Sequence, residues 1–311
     1  MDGKDILVTG GAGFIGSHLA RQLSTAGANV LVADDCSAGR ESLVPDGVRF
    51  ERVDIRDGAF RDLLREFEPE GIVHLAAIHY IPYCNANPEE TFQVNVMGTR
   101  NLLEAARQLS GLETVVFGSS AAVYPPREEA NGEASEPGPM DIYGETKLIG
   151  EDLMRLFHRE TGVPTTSARL FNVYGPDETN EHLIPAVLTQ VRAGDRTIEL
   201  GNLTPKRDFV HVTDVARALG TLLTGSESGY ATYNVGTGSP HSVREVVERT
   251  AEALGEEIEI VQDDDRVRES DRPHLEADVS AIRADHGWTP EVAFVDGLRD
   301  LLEQEDDVLV T

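Results

Sequence analysis

The sequence predicts an α/β protein: a doubly wound parallel sheet followed by a smaller C-terminal α/β region. Three observations carry that expectation. Short β-branched runs alternate with helical patterns through the first half of the chain. The runs are almost continuously apolar, as strands covered on both faces must be. A glycine-rich turn, TGGAGFIG, stands between the first run and the first helical pattern, at the sheet edge where open α/β folds meet their ligands.

The expected strands are DILVTG (5–10), NVLVADD (29–35), VRFERVD (48–54), GIVHLAA (71–77), TVVFGSS (114–120) and TSARLFNVYG (166–175). Between the first two, Ile15, Leu19 and Leu23 share a helical face, and Gly27 stops the helix. Crossovers in such a sheet are right-handed. Beyond YGP (174–176) the rhythm weakens. Helices are expected at 181–193, 213–224, 242–254 and 278–286, with strands at 197–200, 207–212 and 258–261. TYNVG (232–236) reads as a strand that rejoins the main sheet, so the two regions interleave. PPREEANGEASEPGP (125–139) reads as a surface loop and EQEDDVLVT as a loosely held tail.

Asp and Glu number 55 against 27 Lys and Arg, a formal net charge of −28. Such a surface repels nucleic acid and anionic membranes, so neither is expected as a partner. Lys4, Lys147 and Lys206 are the only lysines. Adaptation to a cytoplasm of very high salt is the favoured cause of the charge; an acidic partner-binding face and drift are the others. No apolar run is long enough to span a bilayer and no secretion signal is visible. Cys36 and Cys84 belong to no CxxC and no His/Cys cluster, so neither a metal site nor a disulfide framework is expected. A soluble cytoplasmic (halophilic) protein is the reading that follows.

Gly10, Gly13 and Gly16 give the spacing GxxGxxG. A glycine triplet alone also fits a simple tight turn. Here it joins strand to helix, where glycines let backbone approach a pyrophosphate held at a helix N-terminus. Asp34 closes the next strand about 20 residues on, where an acid accepts from the adenosine ribose hydroxyls. It would repel a 2′-phosphate, which favours NAD over NADP, and Asp35 reinforces this; the bland alternative is a solvated strand end. Asp54 is placed to accept from the adenine amino group, with Ile55 against the ring, although a lone acid there is more often a loop acid.

Ser119 and Ser120 end the fifth strand, and Tyr143 and Lys147 open the next helix. At 100° per residue, Tyr143, Lys147, Gly150 and Met154 fall within about 60° of one another. The apolar stripe Ile149, Leu153, Leu156 and Phe157 begins roughly 40° away, and Glu151, Arg155 and Arg159 take the opposite face. The pair thus sits at the margin of the buried face. A phenol with its ordinary pKa of about 10 is a poor base, and a nearby ammonium and a cationic nicotinamide favour its phenolate. Taken alone, the pair is more often a core-edge tyrosine beside a solvated lysine.

Taken together, TGGAGFIG, Asp34, SSAAVY, YGETK, RLFNVYGP and RDFVHVTD resemble the extended short-chain dehydrogenase/reductase family, in its NAD-dependent nucleotide-sugar epimerase/dehydratase branch, nearest to its UDP-hexose 4-epimerases. The likeness covers nearly the whole chain. It implies a Rossmann-type NAD-binding domain at 1–175 and a substrate-binding region at 176–311. It implies that Tyr143 is the catalytic base and acid, that Lys147 binds the nicotinamide ribose and tunes Tyr143, and that Ser120 holds the sugar 4-hydroxyl. Phe14, Ile15, Leu75, Ala76, Ala77, Asn95, Ser119 and Phe171 would contact the cofactor. Asn172, Arg207 and Arg268 would hold the diphosphate and uridine side of the substrate, with Arg266 the competitor of Arg268 and a salt bridge to Asp208 the competing role of Arg207. A homodimer through helices near 90–108 and 142–160 is also implied.

Dehydratases of this branch carry an acidic pair where this chain has Ala121 and Ala122, so the resemblance implies hydride removal and return, which is epimerisation at C4 through a transient 4-keto sugar. The resemblance leaves the sugar open among UDP-glucose/UDP-galactose and their uronate and N-acetyl relatives. His79, in an aromatic-rich stretch that departs from the usual pattern, reads as a binding or structural residue. Leu275 falls where some relatives place a bulky aromatic against the sugar. The rivals are a dehydratase or reductase on the same fold, which would form a stable keto product or consume NADPH, and a noncatalytic dinucleotide-sensing regulator, which would often lack the Tyr/Lys pair.

At about 1 M salt the Debye length falls to about 3 Å, so the self-repulsion of this surface is screened. Melting temperature and activity are therefore expected to rise with KCl. A melting curve that stays flat from low to molar KCl would overturn the reading.

Overall fold

The structure, a computed structural model, describes residues 1–178, 182–225, 229–263 and 272–303. Seven parallel strands form the central sheet: β1 (Asp5–Thr9), β2 (Asn29–Asp34), β3 (Arg49–Arg52), β4 (Gly71–His74), β5 (Thr114–Ser120), β6 (Thr165–Leu170) and, after four short strands, β11 (Tyr230–Val235). Their order is β11-β6-β5-β4-β1-β2-β3. Chain direction across the sheet reverses at β1 and β4, and the crevice between their carboxyl ends is where the site forms.

Both faces are covered, which is why the strands are apolar throughout. Helices α1 (Phe14–Thr25) and α8 (Val212–Thr224) bury Leu19, Leu23, Leu219 and Leu222 on one face. On the other lie α2 (Gly58–Phe67), α5 (Thr99–Ala106) and α6 (Ile142–Thr161), with Leu64, Leu102, Met154 and Phe157. Two short helices, α3 (Ile81–Ala86) and α4 (Pro88–Phe92), lead into α5 through a π turn, Gln93–Gly98. Asp141 caps α6, its Oδ1 accepting from the Gly144 N–H at 2.8 Å, and Gly162 ends it at φ 77°.

The single strand expected over 166–175 divides. Phe171 is buried and its N–H makes the last bond to the main sheet, at the Val235 carbonyl; the next N–H, that of Asn172, bonds the Asp208 carbonyl instead. β7 (Asn172–Tyr174) then pairs with β10 (Phe209–His211). The strand expected over 207–212 divides in the same way, into β9 (Lys206–Arg207) and β10, because Asp208 between them is fully buried. Its carboxylate accepts from the Thr237 N–H and hydroxyl at 2.8 and 2.6 Å, the Gly238 N–H at 2.8 Å and the Ala277 N–H at 3.1 Å. Those bonds gather β9, β12 (His241–Ser242) and β14 (His274–Leu275) into one small sheet. β8 (Thr197–Leu200) pairs with β13 (Glu259–Gln262), and α7 (Leu183–Arg192), α9 (Val243–Leu254) and α10 (Ser280–His286) complete the region. A helix absent from the sequence reading, α11 (Phe294–Glu303), packs Leu298 and Leu301 beside Val246 of α9. Of the expected loose tail, Glu303 closes this helix and the rest lies outside the described residues.

The 125–139 segment is more than a surface loop. Asn131 is fully buried and bridges to Ala277, while Glu133 accepts the Asn234 N–H at 2.8 Å. Backbone donors on β11 need partners, and a strap of charged sequence supplies them.

His74, 1 % exposed, sits between two hydroxyls. Thr99 donates to the Asn95 carbonyl at 2.6 Å, so it accepts from Nε2 of His74 at 2.9 Å. Thr9 then donates to Nδ1 at 2.7 Å. This order of donors assigns the neutral ring with its proton on Nε2. Burial first, and the Lys147 charge second, push the imidazole down to about 3. A histidine held neutral in the fold but free to protonate when unfolded lends stability above its ordinary pKa that is lost as pH falls through it. Between pH 7.5 and 5.5 the stability advantage of the wild type over His74→Gln should shrink by about 1.4 kcal/mol, read by urea unfolding in high salt. An unchanged gap would mean that the ring is protonated in the fold.

Candidate active site

The turn after β1 is shaped by what a side chain would strike. Gly10 adopts φ 71°, and a Cβ there would lie 2.7 Å from the Ala76 nitrogen. A Cβ on Gly16 would lie 2.1 Å from the Gly10 carbonyl oxygen. Gly13 is the N-cap of α1, with no side-chain cap and no acid in the first turn. The donors of that turn, including those of Phe14 and Ile15, suit an anion, and the cradle fits a dinucleotide pyrophosphate. Asp34, 8 % exposed, accepts from the Ala12 N–H at 3.0 Å and the Cys36 N–H at 2.8 Å. One oxygen takes each bond, which leaves acceptor capacity for ribose hydroxyls. Burial raises its pKa, and the two backbone bonds oppose the rise. Asp35 is exposed. Asp54 is claimed by Arg56, whose Nε lies 2.9 Å from Oδ2, with Ile55 buried beside it.

Opposite the turn, β5 and α6 bring Ser120, Tyr143 and Lys147 together. Gly150 lets α6 lie on the sheet; a Cβ there would meet the Phe117 ring at 2.4 Å. Gly144 does the same at the helix start, where a Cβ would stand 2.5 Å from the Ala122 carbonyl oxygen. Lys147 is 4 % exposed. Its ammonium donates to the Gly118 carbonyl at 2.7 Å and stands 5.0 Å from the Phe117 ring centre and 5.7 Å from that of Tyr143. Ser120 accepts from the Ala122 N–H at 3.1 Å and acts to lower the pKa of the Tyr143 phenol.

The electrostatics of the chain alone differ from the sequence reading, in which the ammonium and a cationic nicotinamide together lower the phenol. Burial dominates instead, pushing Tyr143 up to about 12 against Ser120, which lowers it. Burial also pushes Lys147 down to about 8. The ammonium is bonded to a carbonyl and faces the Tyr143 ring, so it gives the phenol oxygen no resolved help. In this chain alone the phenol stays protonated, and a positive charge in the crevice is required to make it a base.

Several expected contacts turn out to be held elsewhere. Ser119 donates to Glu151 at 2.6 Å, so its hydroxyl faces the interior. Asn95, 3 % exposed, accepts from the Ile78 N–H at 2.8 Å and donates to the Ile78 carbonyl at 2.9 Å and Thr146 at 3.0 Å. It fixes the loop after β4 to α6. Leu75, Ala76 and Ala77 in that loop are half-buried, and Phe171 is buried against the Tyr124 ring. Arg207 does not pair with Asp208, whose carboxylate is taken by backbone donors; its Nη1 donates to the Lys206 and Arg272 carbonyls at 2.8 and 2.7 Å. Asn172, on β7, is half-buried and its N–H bonds the Asp208 carbonyl. Arg266 and Arg268 lie outside the described residues. His79 is exposed, beside Tyr80, whose ring centre lies 6.3 Å from that of His182. Ala121 and Ala122 are buried in a 3-10 turn, Ala121–Val123, and Leu275 is buried in β14.

The largest departure is Glu151. Expected on the solvent face, it is fully buried. Arg169 of β6 grips it with Nε to Oε1 at 2.8 Å and Nη2 to Oε2 at 2.7 Å. The remaining Arg169 nitrogen donates to the Tyr124 hydroxyl at 2.9 Å, which donates to Asn234 at 2.7 Å. Asn234 in turn donates to the Asn131 carbonyl at 2.7 Å. The signal for this network was Arg169 itself: a charge in a strand covered on both faces needs a partner. Among the described residues no group of three or more His, Cys, Asp or Glu is arranged to hold a metal ion, and no helix is long and apolar enough to cross a membrane.

Residues 6–236 match the family described as NAD dependent epimerase/dehydratase family. The UDP-glucose 4-epimerase of Corynebacterium glutamicum is 34 % identical over 305 residues, covering 92 % of this chain and 91 % of that protein. The GDP-6-deoxy-D-mannose reductase of Pseudomonas aeruginosa is 32 % identical, covering 96 % and 95 %. The crystal structure of the Thermus thermophilus UDP-glucose 4-epimerase in complex with NAD superposes with a TM-score of 0.85 at 36 % identity, covering 94 % of this chain and 96 % of that one.

Breaking the Glu151–Arg169 pair strands a buried charge. Arg169→Met should cost about 3–5 kcal/mol of unfolding free energy, and Glu151→Leu in the same chain should recover much of it. Denaturant unfolding of the two variants checks this; equal stability of Arg169→Met and wild type would refute it.

Proposed function

The chain belongs to the NAD dependent epimerase/dehydratase family, and we propose that it is an NAD-dependent nucleotide-sugar 4-epimerase whose substrate is a UDP-hexose. The observation that carries the reading is Ser120 placed to lower the pKa of the Tyr143 phenol and followed by two alanines, Ala121 and Ala122. A proton can leave and return at one hydroxyl there. Those two positions offer no acid or base for elimination at a neighbouring carbon.

Bound in the glycine cradle, NAD supplies the acceptor and later the donor of the C4 hydride, and the positive charge that the phenol lacks. Gly10, Gly13 and Gly16 admit its pyrophosphate, and Asp34 accepts from its ribose and disfavours a 2′-phosphate. Ser120 holds the sugar 4-hydroxyl, and Tyr143 takes its proton. Lys147, fixed by the Gly118 carbonyl, holds the nicotinamide ribose. The 4-keto sugar turns about its diphosphate, anchored by Asn172, Arg207 and Arg268, so that its other face would receive the returning hydride at C4, and Tyr143 gives the proton back to the 4-oxygen. Redox is balanced within one turnover. The same reading makes the protein a cytoplasmic homodimer of a high-salt cell, joined through helices near 90–108 and 142–160, where Phe92 is 38 % exposed. It assigns cofactor binding to 1–175 and substrate binding to 176–311, with β11 shared.

In high salt, purified protein should interconvert UDP-glucose and UDP-galactose, or the matching N-acetyl or uronate pair, without added reductant, as followed by NMR. Tyr143→Phe should lower kcat by about 10²–10⁴. Net consumption of NADPH, a stable keto product, or full turnover by Tyr143→Phe would each sink the assignment.

A further inference from the structure

Arg272 belongs to none of the roles above. It stands two residues before β14, with its side chain 12 % exposed. Its Nη1 donates to the Tyr124 carbonyl at 3.1 Å and, more distantly, to the Ala121 carbonyl at 3.4 Å. Its Nη2 donates to the Ala122 carbonyl at 3.1 Å and lies 3.6 Å from the Asp141 carboxylate. The three carbonyls belong to the 3-10 turn that Ser120 caps and to the residue that ends it. Asp141 caps α6 two residues before Tyr143.

One planar guanidinium thus clasps the two segments that carry the reacting hydroxyls. The segments already press together where Gly144 faces the Ala122 carbonyl. Four acceptors converge there, and a flat fork with five donors serves both segments at once; an ammonium is a point charge on a flexible stem. The Arg272 carbonyl is itself held by Arg207 at 2.7 Å, which ties the clasp to the strand proposed to grip the diphosphate.

We propose that Arg272 is a positioning residue that sets the distance and alignment of the Ser120–Tyr143 pair. Its kinetic consequences rest on the epimerase reading above. A displacement of about 1 Å in a reacting group can cost about 100-fold in rate, and a displacement confined to this pair leaves nucleotide binding alone.

The test uses the holoenzyme in high salt. Arg272→Gln should lower kcat about 100-fold while KM for the UDP-sugar and the bound NAD stay within about 3-fold of wild type. Arg272→Lys should regain part of the loss. Because Arg272 acts through Ser120, adding Ser120→Ala to Arg272→Gln should cost far less than Ser120→Ala costs alone. Unchanged kcat, full additivity with Ser120→Ala, or a parallel loss of NAD and melting temperature would overturn the proposal. If Arg272→Gln does not fold, the same cycle is run on Arg272→Lys. A crystal structure of the variant supplies a reading that needs no substrate. A Ser120–Tyr143 pair kept at the spacing of a wild-type crystal structure overturns the inference, and a widened pair supports it even if no UDP-sugar is turned over and the functional assignment fails.

Discussion

Glu151 and Arg169 meet where neither can share its charge with water, and much of the site is arranged around that meeting. A buried carboxylate is tolerable only when its lone pairs are filled and its charge is balanced. Ser119 and Arg169 do this for Glu151. Filling the rest of Arg169 brings in Tyr124, then Asn234 of β11, then Asn131 of the 125–139 strap. One charge pair therefore recruits β5, β6, β11, α6 and a distant loop. Ser120 follows Ser119 directly, and Lys147 lies one helical turn before Glu151. The reacting groups occupy the open side of a structure whose closed side is this network.

Burial acts on those groups in one direction. It pushes the Tyr143 phenol up and the Lys147 ammonium down, so each is driven towards its neutral form. The chain supplies position, and the bound cofactor completes the electrostatics. In the proposed reaction, that division of labour arms Tyr143 as a base only when the hydride acceptor is in place.

Much of this was legible in sequence, for a local reason. The parallel sheet, the glycine turn and the Tyr143–Lys147 stripe are periodic or contiguous signals, each contained in a few residues. The errors have the opposite character. Glu151 lies only about 40° around the helix from Lys147, yet which way that arc faces was decided by Arg169, on a strand 18 residues later. An apparently continuous strand breaks after Phe171 because the N–H of Asn172 bonds Asp208 in place of the main sheet. Asn131 sits in a stretch rich in Pro, Glu and Gly, yet it is buried by partners more than 100 residues away. Composition describes what a segment prefers when alone, and these residues answer to distant neighbours. Arg272 is a further case: nothing in its surroundings in the chain distinguishes it from the other two arginines of RVRESDRP.

Asp208 carries a consequence for how the substrate side is held. Its single carboxylate takes donors from Thr237, Gly238 and Ala277, winding three stretches of chain about one negative centre. It does what a coordinated ion does for a loop-rich domain, with the difference that this ion is covalently part of the polypeptide. It cannot be chelated, exchanged or diluted away. Nor, being fully buried, does it feel the bathing salt as an exposed carboxylate does. The outer acids and this inner one thus belong to separate electrostatic regimes. The exterior is open to being recharged for another solvent while the anchor of the interior keeps its hold.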